Sequence, residues 1–188
     1  MNFNNISQFN FPTKIRFGAG IIAELPAYLK ENNLSKPLLV TDPNVANLAF
    51  FKQILQDLTA KGISTEVFCD IHKNPVKSDV YKGDEAYYGT YRDCIIGIGG
   101  GAAMDVARAI LLRINHREDL FKYDDLIGGD VFVTNDVPHF ITIPTTAGTG
   151  SEVGRSAIIA DNETHQKKDT FCPKTFGKNN FCRPNAYH

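Results

Sequence analysis

The chain has 188 residues, 43% of them apolar, and a formal net charge of -1, enough for one globular domain with its own core. A near-neutral balance gives no electrostatic footprint for nucleic acid or an acidic membrane surface. No apolar run approaches the ~18 residues of a membrane span, and Met1 to Phe11 lacks the basic patch and apolar core of a secretory signal. A cytoplasmic location is therefore expected.

From the N-terminus, Pro12 to Gly20 reads as a short strand ending in a glycine turn. A helix is expected from Ile21 to Lys30, with Pro26 a local irregularity. Pro37 to Thr41 is an apolar strand ended by Asp42 and Pro43, and Pro43 suits a first helical turn. Val45, Leu48, Phe51, Leu55 and Leu58 then recur at helical spacing, predicting one helix to about Ala60. Gly62 stops it, and Ser64 to Phe68 alternates like a strand. Asn74-Pro75 marks a loop before a helix from about Ser78 to Tyr91, with Val80, Tyr87 and Tyr91 on one side.

The chain's densest signal follows. Cys94 to Ile98 is a short apolar run fit for a buried strand, and Gly99, Gly100 and Gly101 come next. Met104, Ala107, Leu111 and Ile114 then give one apolar helical face starting near Ala102. Strand, glycine turn and helix start make an anion site, because glycine lets the backbone approach a phosphate while the first-turn N–H groups and the helix dipole favour negative charge. A tight turn with no ligand is the alternative, since a lone G-x-G-x-x-G/A match is weak. The placement is also unusual: an acidic ribose contact ordinarily lies about 20 residues after the glycines, whereas the best acid at a strand end, Asp42, precedes them.

Arg117 to Asn135 reads as irregular, and His139 to Ile143 as a strand closed by Pro144. Thr145 to Glu152 is a polar loop of three threonines, a serine and two glycines. At a strand's C-terminal end it can offer donors to phosphate or ribose, or Thr149 and Glu152 can form a capping box. Alternating strands and helices imply an α/β fold, a parallel sheet flanked by helices. The four cysteines (Cys69, Cys94, Cys172, Cys182) form no C-x-x-C pair and read as buried thiols of a reducing compartment. The five histidines show no ligand spacing, so no metal site is legible.

These motifs together resemble the N-terminal half of the iron-containing (iron-activated) alcohol dehydrogenases, in order from about Phe11 to Asp161. The matching residues are Pro12 to Gly20, Val40-Thr41-Asp42, Asn74-Pro75 with Val80, Gly83 and Tyr87, Gly99-Gly100-Gly101 with Met104-Asp105, and Pro144 to Val153. The resemblance implies a Rossmann-like domain shared with dehydroquinate synthases. It also implies an NAD-dependent alcohol dehydrogenase acting on an alcohol/aldehyde pair, in an enzyme commonly dimeric or larger. It implies that Gly100 and Gly101, with Gly99, Ala102 and Asp105 around them, meet the cofactor pyrophosphate. Asp42 would hold the adenine ribose and Asn74 would lie near the cofactor. Thr145, Thr149 and Val153, with Thr146 in the same loop, would line it, and Lys167 or Lys168 would reach a ribose. Independently of the resemblance, a carboxylate at Asp42 accepts from a ribose 2′-OH and repels a 2′-phosphate, favouring NAD over NADP.

Three positions depart from the family pattern: Ala102 where Ser is usual, Arg108 for Lys, and Gly154 for Thr. Ala102 would remove an N-cap hydroxyl, an effect of ~1 kcal/mol. The family's helical second domain, with one Asp and three His for Fe²⁺ or Zn²⁺, would fall beyond His188. The domain is accordingly read as residues 1–188, with 162–188 an irregular linker at a truncated or frameshifted end. The isolated chain is expected to turn over little or no substrate; it supplies the cofactor-binding half or, as the alternative, is an inactive fragment that binds nucleotide weakly or not at all.

Overall fold

A computed structural model describes residues 13–171 and 179–182. Pro12, Cys172 and His188, which figure in the sequence reading, lie outside them. Six strands form one parallel sheet: β1 (Lys14–Phe17), β2 (Pro37–Val40), β3 (Glu66–Phe68), β4 (Cys94–Gly99), β5 (His139–Pro144) and, at 179–182, the last strand. Two further strands, β6 (Ser156–Ala160) and β7 (Lys167–Phe171), pair antiparallel in a separate ribbon, which makes the last sheet strand β8 (Asn179–Cys182). The order across the sheet is β1-β8-β5-β4-β2-β3.

The helices are α1 (Leu25–Glu31), α2 (Pro43–Ala46), α3 (Ala49–Ala60), α4 (Lys77–Gly89) and α5 (Gly101–Asn115). Period-two alternation in the central strands divides the core between the two faces. Leu38, Val40, Ile95 and Phe140 pack with Val80 of α4 and Val106 and Ile110 of α5. Leu39, Ile96, Ile98, Ile141 and Ile143 pack with Leu29 of α1 and Phe51, Ile54 and Leu58 of α3. Gly83 of α4 permits a close helix crossing, because a Cβ there would stand 2.2 Å from Ile110 Cδ1.

Several expectations change. The helix expected over 21–30 opens with a 3₁₀ turn (Ile21–Glu24), and Pro26 sits within the first turn of α1. The stripe from Val45 to Leu58 is two helices, broken at Asn47 and Leu48, and Leu48 is exposed. Pro43 and the Asp42 cap start a short first helix, and Leu48, in extended conformation, starts the second. The 78–91 helix ends at Gly89, and Tyr91 is exposed at positive φ. Helix α5 is buried nearly all round, not along one face. It lies between the sheet, α4 and β6, and so has little outer surface. Residues 117–135 hold three 3₁₀ turns.

Within 162–188, read as irregular, the described residues form two strands. Strand β7 completes the ribbon, and β8 is inserted in the main sheet between β1 and β5. Polar strands of this kind, Lys167–Phe171 above all, carry little apolar periodicity for a sequence reading to detect. Cys94 is buried as expected, and its burial pushes the thiol pKa up. Among the described residues no helix is long and apolar enough to cross a membrane.

Candidate functional site

Strands β5, β4 and β2 are neighbours, so their C-terminal ends deliver three loops to one place. Asp42 follows β2, Gly100 follows β4 and Thr145 follows β5. Chain connections leave β2 towards β3 and β4 towards β5. The crevice between β2 and β4 is therefore the switch point where open α/β sheets hold ligands.

A cleft of about 680 Å³ opens there, lined by Asp42, His72, Lys73, Gly100, Ala102 and Thr145 among others. A second lobe of about 210 Å³ is lined by Lys73, Asn74, Gly101, Ala102, Asp105 and Lys167, together with Ile158 and Ala160 of β6. Lys73, Gly101 and Ala102 line both lobes and form the waist between them.

The floor of the cleft is the start of α5. Gly100 occupies the cap position with extended backbone, and the first intrahelical bond runs from Met104 N–H to Gly100 O at 3.1 Å. The N–H groups of Gly101, Ala102 and Ala103 consequently have no partner within the helix. Ala102 is thus the second helical residue and not the cap, so its missing hydroxyl does not weaken the helix start. Packing keeps the floor bare: a Cβ at Gly100 would lie 3.1 Å from Thr146 Oγ1, and one at Gly101 3.4 Å from Ser151 Oγ. Gly99 lies beneath, buried at the end of β4 with φ +148, and its carbonyl accepts from Thr145 N–H at 2.9 Å.

Asp42 serves locally as well. Its Oδ1 accepts from the N–H groups of Asn44 and Val45 at 2.9 and 3.1 Å, capping α2. Its Oδ2 lies 3.5 Å from where a Gly99 Cβ would be, on the glycine-turn side. Across the cleft, the loop from Ile71 to Val76 is fixed by Asp79, a fully buried carboxylate. Asp79 Oδ2 accepts from His72 N–H and Val76 N–H, both at 3.1 Å, and Oδ1 pairs with His72 Nδ1 at 2.7 Å.

In the second lobe, burial raises the Asp105 pKa to about 6, with Arg108 at 3.4 Å and a backbone hydrogen bond from Ile158 opposing the rise. The group therefore holds a proton in the folded chain, between about pH 4 and pH 6, that the unfolded chain has lost. Stability from this group falls as pH rises through that window and is gone above it, a loss of at most roughly 3 kcal/mol. Asp105→Asn is expected to gain stability over the parent in urea at pH 7.5 but not at pH 4. An equal difference at both pH values would refute the ionised-carboxylate penalty.

Of the residues singled out by sequence, Asp42, Gly100, Gly101, Ala102, Thr145 and Thr146 meet in the larger lobe, and Asn74, Asp105 and Lys167 in the smaller. Thr149 and Val153 stand outside both linings. Thr149 Oγ1 instead accepts from Ser151 N–H at 3.3 Å in a local turn, and no helix follows, so the capping-box alternative is not realised. Lys168 points elsewhere, with its Nζ 3.5 Å from Asp124. Sequence reasoning missed His72 and Lys73, although they immediately precede the flagged Asn74. It also missed the role of Arg108, whose guanidinium donates to the carbonyls of Ser151 and, at 2.7 Å, Ser156. Among the described residues no group of three or more His, Cys, Asp or Glu side chains could hold a metal ion.

Comparison with known proteins gives the architecture relatives. A family model described as iron-containing alcohol dehydrogenase matches residues 12–182. A choline dehydrogenase of Bacillus subtilis (strain 168) is 34% identical over 165 residues, which is 88% of this chain and 41% of that protein. A solved 1,3-propanediol oxidoreductase superposes with TM-score 0.87 at 26% identity, covering 96% of this chain and 47% of that one. A sulfoacetaldehyde reductase from Bifidobacterium kashiwanohense, solved in complex with NAD⁺, shares the fold with TM-score 0.83 at 22% identity, over 97% and 47% of the two chains. The chain thus spans less than half the length of these relatives.

Proposed function

Because the chain belongs to the iron-containing alcohol dehydrogenase family, we propose that its cleft binds NAD for hydride transfer between an alcohol and its aldehyde. The observation that carries this reading is one juxtaposition. A carboxylate at the end of β2, unpaired N–H groups at the start of α5 and a hydroxyl-bearing loop after β5 all face one cleft. Each suits a different part of a dinucleotide. Asp42 Oδ2 accepts from the adenine ribose, the N–H groups of Gly101 to Ala103 meet the pyrophosphate, and Thr145 and Thr146 flank it. Asn74, Asp105 and Lys167 line the lobe beyond the waist, where the nicotinamide half runs. When bound, the nicotinamide ring supplies the hydride donor or acceptor. The chain's own residues orient that ring and shield it from water.

Among the described residues no group of three or more His, Cys, Asp or Glu side chains could hold the family's metal.

Titrating residues 1–188 with NADH and NADPH, followed by nicotinamide fluorescence, tests the proposal. Saturable binding that favours NADH is expected, and Asp42→Asn is expected to narrow the preference by about tenfold by removing the charge that repels a 2′-phosphate. Asparagine keeps an oxygen to cap α2, so the variant changes charge and not fold. Equal affinity for both cofactors in the parent chain would sink the assignment of Asp42.

A further inference from the structure

We propose that Lys73 is a pyrophosphate-binding residue of this cleft, supplying the positive charge that the glycine turn lacks. The inference rests on the dinucleotide reading and deepens it. Three residues line both lobes: Gly101 and Ala102, which present unpaired N–H groups, and Lys73. A dinucleotide laid across the cleft places its adenosine in one lobe and its nicotinamide riboside in the other. Its two phosphates then fall at the waist that these three residues share.

The charge balance there calls for a cation. Backbone N–H groups and the end of a helix dipole provide about half a positive charge, whereas a pyrophosphate diester carries two negative ones. Asp42 and Asp105, one in each lobe, add negative charge to the same walls. The large buried cation nearby, Arg108, is occupied with the carbonyls of Ser151 and Ser156 and is only 1% exposed. Lys73 is exposed at the waist, and its ammonium can meet a phosphate oxygen as a point charge.

Its backbone is also held in place before any ligand arrives. Asp79 accepts from the N–H groups on either side, those of His72 and Val76, and so sets the curve of the loop carrying Lys73. The bridge between Val76 and Ala160, and the 2.8 Å bond from Ala160 N–H to Pro75 O, tie the same loop to β6. Only the flexible side chain remains to be ordered on binding, which keeps the entropic cost small.

The test is calorimetric titration of the full chain with ADP, adenosine and NADH, in the parent, Lys73→Gln, Lys73→Arg and Lys82→Gln. Lys82 pairs with Asp70 outside the cleft and serves as the charge control. Lys73→Gln is expected to weaken ADP and NADH about tenfold, to leave adenosine within about twofold and to flatten the salt dependence of ADP binding. Lys73→Arg should recover most of the loss, and Lys82→Gln should bind as the parent does. Unchanged ADP affinity in Lys73→Gln, or an equal loss for adenosine, overturns the proposal and leaves the dinucleotide reading standing. A parent chain that binds neither ADP nor NADH overturns both.

Discussion

Replacing Arg108 by alanine is expected to lower stability by about 3–5 kcal/mol, the range for breaking a buried, hydrogen-bonded ion pair. Arg108 is the largest fully buried side chain in the core. Its guanidinium donates to Ser151 and Ser156, faces Asp105 at 3.4 Å and lies 5.9 Å from the Phe140 ring centre. Alanine would leave two half-buried carbonyls and a carboxylate without their cation, beside a cavity. Because Arg108 opposes the burial that raises Asp105, the carboxylate would climb above about 6, and the pH dependence of stability would move to higher pH. Both readouts come from urea unfolding between pH 4 and pH 8. Arg108→Lys should be intermediate, since one ammonium cannot span both carbonyls as a planar guanidinium does. A loss under ~1 kcal/mol in the alanine variant would mean that the Thr145–Glu152 loop does not depend on this residue.

That dependence was hidden in the sequence. Arg108 was visible only as an unusual residue on a helix, and nothing in its spacing tells which carbonyls it meets 43 and 48 residues later. Local signals fared better. The apolar runs at Leu38–Val40 and Cys94–Ile98 announced buried strands because both their faces are covered. The glycine turn was legible because its function needs backbone without side chains. Asp42 was legible as an acid at a strand end, but its second task, capping α2, required knowing that the helix starts there. Helix α5 was misread as one-faced because its second covering, β6, is a five-residue apolar segment too short to announce which helix it packs on. His72 and Lys73 escaped for a related reason. What brings them to the cleft is Asp79, a buried acid in α4 whose sequence context is that of a solvated helix start.

Gly99→Ala is expected to abolish measurable NADH binding and to cost about 3 kcal/mol of stability, two effects with one cause. Gly99 sits at φ +148, a conformation that L side chains rarely adopt, and its added Cβ would lie 2.7 Å from Ala103 Cβ. Ala103 is only 1% exposed and belongs to the first turn of α5, so it cannot retreat. The chain must then either rotate the peptide at Gly99 or push the helix start away from the sheet. Rotation would misplace the Gly99 carbonyl that accepts from Thr145 N–H, releasing the loop after β5. Displacement would tilt the N–H groups of Gly101 to Ala103 off the phosphate position, and Asp42, whose Oδ2 faces the same glycine, would shift with them. Every route separates the three elements that meet in the cleft. Gly89→Ala gives the contrast, since a Cβ there meets nothing within 4 Å at the C-terminal end of α4. That variant should match or exceed the parent by up to ~1 kcal/mol in urea unfolding and bind NADH unchanged. Parent-like NADH affinity in Gly99→Ala would show that the cofactor does not use the turn between β4 and α5. The cleft would then need a different occupant or a different orientation of the same one.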